Sequence, residues 1–164
     1  NMQIKDNQSM VFDGIIATTP TWKDIEFIRK NTKLPLILKG ITHPSYAKKA
    51  IEFGVDGIVV SNHGGRVLDT LVTTMDILPK IVEVVDNKIP ILLDGGITRG
   101  TDILKALALG ASAVMIGKPI MYGLATAGAL GVAHSLKILK DELEISMALT
   151  GCKTLKDINK DILF

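Results

Sequence analysis

Gly57-Ile58-Val59-Val60-Ser61-Asn62-His63-Gly64-Gly65-Arg66 is the stretch from which the rest of the chain is read. Its first part is apolar and β-branched, as a buried strand should be. The strand then runs straight into a loop carrying a histidine, two glycines and an arginine. A histidine moves protons near neutral pH. The glycines allow a tight turn and close approach of a ligand. The arginine fork grips a carboxylate through two hydrogen bonds. This set suits proton or hydride chemistry on a small organic acid.

The same β-α alternation extends to both sides. A strand over Leu34–Leu38 ends at Lys39-Gly40, and a helix over Pro44–Phe53 ends at Gly54. After the Gly57–Ser61 strand comes a helix over Thr70–Val85, which Pro79 should kink or restart. A strand over Pro90–Leu93 ends at Asp94-Gly95-Gly96, followed by a helix over Thr101–Leu109. The last strand, Ala113–Ile116, ends at Gly117-Lys118-Pro119. A long helical region then covers Ile120–Leu149, and Thr154–Lys160 is a final short helix. Ahead of these units, Thr21 and Asp24 resemble the cap of a helix reaching about Asn31, and residues 1–19 read as loop.

These strands are apolar throughout, as parallel strands covered on both faces are. Their polar corners suggest the mouth of a (β/α)8 barrel, where barrel chemistry sits. Whole barrels run to about 250 residues; this chain has 164. The residues alone leave two readings, an open doubly wound sheet or half of something larger.

Composition narrows the class. Hydrophobic residues make up 47% and aromatics only 4%, so aliphatic side chains must fill the core. The net charge of +2 is not clustered, which gives no case for nucleic acid. No apolar run is long enough for a transmembrane helix, and Asn1–Asp6 is not expected to be a leader. The lone Cys152 follows Gly151 and is expected to pack, in a reducing compartment.

The ordered corners Lys39-Gly40, Ser61–Arg66, Asp94-Gly95-Gly96-Ile97 with Arg99-Gly100-Thr101-Asp102, and Gly117-Lys118-Pro119 closely resemble the C-terminal half of the FMN-dependent 2-hydroxy-acid oxidases. Lys105–Ala111 and Met147–Cys152 add to the likeness. The resemblance implies an α/β fold, the C-terminal half of a (β/α)8 TIM barrel with a helical extension. Residues 1–19 match a variable loop and residues 20–164 the FMN-binding half.

By position, the resemblance makes His63 the active-site base and Lys39 the cation beside the flavin. Arg66, with His63, would bind the substrate carboxylate. Ser61, Asp94, Gly95, Gly96, Ile97, Thr98, Gly117 and Lys118 would join Lys39 in holding FMN. No metal is implied.

The implied reaction is oxidation of a small (S)-2-hydroxy acid to the 2-oxo acid, with O2 as electron acceptor. It would need the N-terminal half of the same barrel, without which this chain is an inactive fragment. A homotetramer in the cytoplasm or peroxisome is implied; Asp161–Phe164 is not a peroxisomal Ser-Lys-Leu ending. The alternatives are a non-catalytic phosphate-binding half-barrel or another phosphate-binding barrel enzyme.

Three positions depart from the family pattern. Thr98 and Lys118 stand where arginines are usual, and Val67 where glutamine is common. Lysine keeps a charge but loses the bidentate fork; threonine keeps only a hydroxyl. Elsewhere, His43 is expected at a helix start and His134 on a helix surface. Tyr46, Tyr122, Met147 and Leu149 are expected to pack.

Overall fold

The computed structural model describes residues 7–163. Asn1–Asp6 and Phe164, on which the leader reading and the end of the targeting reading rest, lie outside them. The chain divides into two compact units, Asn1–Leu34 and Pro35–Phe164.

In the first unit, the stretch expected as loop is wound instead. Met10–Ile15 forms a wide π-helical turn and Ile16–Thr18 a 3-10 turn. Ser9 and Asp13 cap each other: Ser9 Oγ accepts from Phe12 N at 3.1 Å, and Asp13 Oδ2 accepts from Ser9 N at 2.7 Å. Their four-residue spacing falls outside the usual three-residue signature, so the sequence does not advertise the turn. Helix α1, Trp22–Asn31, starts where Thr21 and Asp24 place it. Asp24 Oδ2 accepts from Thr21 N and Oγ1 at 2.6 and 2.8 Å. The Thr21 backbone amide, then its hydroxyl, hold the Asp24 carboxyl below its usual range.

The second unit is a parallel sheet in the order β1 Ile37–Lys39, β2 Gly57–Val60, β3 Ile91–Leu93 and β4 Ala113–Val114. Ile37 pairs with Gly57, Ile58 with Ile91, and Leu92 with Ala113. The strands are shorter than the apolar runs because pairing ends where the corners bend away. The register puts Leu38, Ile58, Val60, Ile91 and Leu93 on one face. Ile58, Val60, Ile91 and Leu93 there are buried, along with Leu78 and Ile81 from the helix after β2. The opposite face carries Ile37, Lys39, Val59, Leu92 and Ala113. Ile37 is 49% exposed and Met115, just past β4, 40%.

Between the strands run α2 Pro44–Glu52, α3 Thr74–Val85 and α4 Gly100–Ala108. His43 caps α2 by accepting from Ser45 N, with Pro44 in the first turn. Helix α3 begins at Thr74 rather than Thr70, because Thr70 has φ 60° and Thr73 is an extended cap. It runs through Pro79 as one element, so the expected restart does not occur.

Helix α5, Lys118–Leu149, is broken at Ala127 and Gly128, where Gly128 takes φ 56°. Ser135 Oγ lies 3.5 Å from the Pro119 carbonyl, and Gly123 and Gly131 meet backbone to backbone. The two arms therefore fold back antiparallel. The second arm lies on α4, where Glu142 Oε2 accepts from Gly100 N at 2.8 Å. Cys152 is buried with Leu104, Ala108 and Ile158, against which Met147 packs. Leu149, expected in the core, is 83% exposed at the helix end. The expected helix over Thr154–Lys160 resolves into 3-10 turns at Leu155–Asp157 and Lys160–Ile162, separated by extended Ile158 and Asn159.

Gly100 is fixed by this packing: a Cβ there would overlap the backbone of Glu142 and Leu143. Gly100→Ala in the full-length protein should destabilise it by about 1–3 kcal/mol, as overpacking does. Thermal denaturation checks this; an unchanged Tm would show that the second arm of α5 shifts freely.

Candidate functional site

The strand carboxyl ends build the site. Lys39 ends β1, Ser61 follows β2 and Asp94 follows β3, all on the face opposite the helices. Lys39 Nζ donates to Ser61 Oγ at 2.9 Å and lies 2.8 Å from Asp94 Oδ2. One ammonium thus ties three neighbouring strand ends. Ser61 is buried, and its hydroxyl also accepts from His63 N at 3.1 Å. Asp94 Oδ1 is buried and has no hydrogen-bond partner among the described residues, whereas buried acceptors ordinarily find a donor.

After Ser61 the chain leaves strand geometry. His63, Gly64 and Gly65 take φ 55°, 69° and 70°. Strand parity, which would carry Val59 and Ser61 on to His63, therefore stops short of it. The histidine reaches the same mouth by a turn instead. Asn62 Oδ1 accepts from Gly64 N at 3.1 Å and its carbonyl accepts from Gly65 N at 3.0 Å. Two glycines make room for this arrangement. A Cβ on Gly40, at φ 95°, would stand 3.1 Å from His63 Cε1, and one on Gly95 would stand 2.8 Å from Asn62 Oδ1.

These residues open on a cavity of about 670 Å³. Lys39, His63, Arg66, Asp94, Gly95, Gly96, Ile97, Thr98, Gly117 and Lys118 line it. Ser61 stands behind, reached through Lys39. Ile97 is 3% exposed, so its side chain belongs to the core and its backbone faces the site. A Cβ on Gly96 or Gly117 would meet nothing within 4 Å, which leaves an open cradle at that corner. Thr98 lines the cavity, but its amide and hydroxyl are both engaged by Asp102 Oδ2 at 2.9 and 3.2 Å. Arg99 faces Glu142 at 3.7 Å. Lys118 is thus the cation of the corner, and its Nζ donates to Gly64 O at 2.9 Å.

Met115, Met121 and Tyr122 also line the cavity, and sequence reading missed them. Tyr122, expected to pack, is 67% exposed. Its signal was the turn of helix right after Gly117-Lys118-Pro119, which had to face the same mouth. Tyr46 is exposed too, beside the His43 ring at 5.7 Å between centroids. His134 is exposed on α5. Among the described residues, no cluster of three or more His, Cys, Asp or Glu side chains could hold a metal, and no helix is long and apolar enough to cross a membrane.

Parallel strands sending polar side chains to one mouth, beside a helix-linked glycine corner, define a (β/α)-barrel segment with its site at the strand carboxyl ends. The chain belongs to the FMN-dependent dehydrogenase family, whose model matches residues 1–164. It is 56% identical over 153 residues to peroxisomal (S)-2-hydroxyacid oxidase GLO3 of Arabidopsis thaliana, covering 93% of this chain and 41% of that protein. It is 52% identical over 143 residues to an L-lactate oxidase of a Nostoc species, covering 87% of this chain and 39% of the relative. A crystal structure of mandelate oxidase superimposes with a TM-score of 0.83 at 45% identity, over 86% of this chain and 41% of the other. The chain therefore spans about two-fifths of the length of these relatives, and its sheet corresponds to half of their barrel.

Gly40 tests how tightly the mouth is packed. Gly40→Ala adds a methyl at positive φ against the His63 ring, so the ring should move. NMR of the His63 Cε1–H resonance would show a shift; an unmoved signal would mean that the ring is not held there.

Proposed function

We propose that the full-length protein oxidises a small (S)-2-hydroxy acid to the 2-oxo acid with FMN, and that O2 reoxidises the flavin. The observation that carries this is the joint placement of Lys39, Asp94, His63 and Arg66 around one cavity whose glycine corner holds a lysine. The donor set suits FMN. The open cradle at Gly96 and Gly117, with Lys118, matches its phosphate. Lys39 would place positive charge beside the ring, where charge develops.

Bound FMN supplies the two-electron acceptor. Arg66 grips the carboxylate common to all 2-hydroxy acids and so turns the reacting carbon toward the mouth. A ring nitrogen of His63 takes one of the two protons that the acid loses as its hydroxyl carbon becomes a ketone. Lys39 and Asp94 keep the strand ends in register under this arrangement.

The N-terminal half of the barrel completes the site. Among the described residues β1 and β4 are sheet edges, and Ile37 and Met115 are exposed on the face that carries Lys39, as surfaces that take a covering are. The reading includes the homotetramer of the family and a peroxisomal or cytoplasmic setting. Purified full-length protein should show flavin absorption bands; their absence would refute the assignment.

His63→Gln keeps size and hydrogen bonding but removes the base. Flavin reduction at saturating substrate should fall by about 10²- to 10⁴-fold, with FMN still bound. A wild-type rate in stopped-flow measurements would remove His63 from that role.

Arg66→Lys keeps the charge but loses the fork. A lost charged hydrogen bond costs about 1.5–3 kcal/mol, a factor of roughly ten to more than a hundred in kcat/KM. The loss should be similar for short and long acids. A large loss with only one acid would make Arg66 a side-chain selector instead.

A further inference from the structure

Lys118 stands at the proposed phosphate corner, yet its side chain reaches across the mouth to the histidine turn. Its Nζ donates to Gly64 O at 2.9 Å, and its Cε lies 3.5 Å from where a Cβ on Gly64 would stand. The two residues are 54 apart in sequence. The turn it reaches has three successive left-handed residues, His63 at φ 55°, Gly64 at 69° and Gly65 at 70°. A histidine keeps that conformation only when its surroundings hold it. The other hydrogen bonds to the turn's backbone come from its immediate neighbours Ser61 and Asn62. Lys118 ties it to a different strand end.

An ammonium has three donors that diverge tetrahedrally. With one on Gly64 O, two remain for an anion in the cradle of Gly96 and Gly117. The donors of a guanidinium lie in one plane and suit a single planar partner better. The Thr98 hydroxyl, the nearest alternative donor in sequence to that corner, is already bonded to Asp102.

We propose that Lys118 is a positioning residue for His63: its ammonium bridges the anion at the corner and the Gly64 carbonyl, so that filling the corner sets the place of the histidine ring. This rests on the reading of that corner as the phosphate site of FMN.

The test uses full-length protein carrying Lys118→Met, which keeps the length of the side chain and removes its donors. In the flavin-free protein, hydrogen exchange at the amides of His63, Gly64 and Gly65 should be faster than in wild type, with α3 unchanged. FMN should bind more weakly. When every site is filled at high FMN, judged by bound absorbance, flavin reduction at saturating substrate should still be slower, by up to about a hundredfold. Misplacing a reacting group by about 1 Å can cause a loss of that size. A residue that only held phosphate would weaken FMN binding and leave the filled enzyme at the wild-type rate, which would overturn the proposal. So would unchanged exchange in the turn. Because exchange is read without flavin, it decides the tie between Lys118 and the turn even if FMN proves not to be the cofactor.

Discussion

The ion pair between Lys39 and Asp94 is the constraint on which the mouth depends. The Asp94 side chain is 15% exposed and that of Lys39 40%. A carboxylate so far from water needs a cation close by, and Lys39 supplies it at 2.8 Å while also bonding Ser61. Three strand ends are thereby fixed relative to one another. The pair satisfies only one oxygen of Asp94, and Oδ1 stays buried without a partner among the described residues. One interaction thus organises the mouth while leaving part of its own carboxylate unsatisfied.

Much of this was legible in the chain. The apolar runs located all four strands, since β2 is buried on both faces and admits no polar residue. Glycine and proline marked the corners because they fix where a strand can stop. Strand lengths were overestimated: leucine and proline at 34–36 are apolar, but pairing begins only at Ile37. The turn of Met10–Ile15 was hidden because its cap uses a spacing that has no familiar signature. The short helix expected at the end fell apart because its capping box encloses a single turn.

The site was legible in its residues more than in its geometry. The corners named Lys39, Ser61, Asp94 and Lys118, and the structure brings them to one mouth. What sequence could not supply was direction. Thr98 turns to Asp102, and His63 escapes strand parity through positive φ. Tyr122 sits at a helical position, which reads as core until the position of the helix axis is known. Leu149 failed for the opposite reason, as the helix ends where the core does.

The break in α5 has a mechanical meaning. Thirty-two helical residues in line would extend about 48 Å, carrying one end far beyond the sheet. Folding at Gly128 shortens the element into two braced struts that touch at Gly123 and Gly131. The first strut bears Lys118 at its tip, and the second is seated on α4. The spacing of the struts is set where two residues without side chains meet, since a Cβ on either would strike the backbone of the other. The place of a charged group at the mouth is thus tied to the thickness of a contact more than one helical turn away from it.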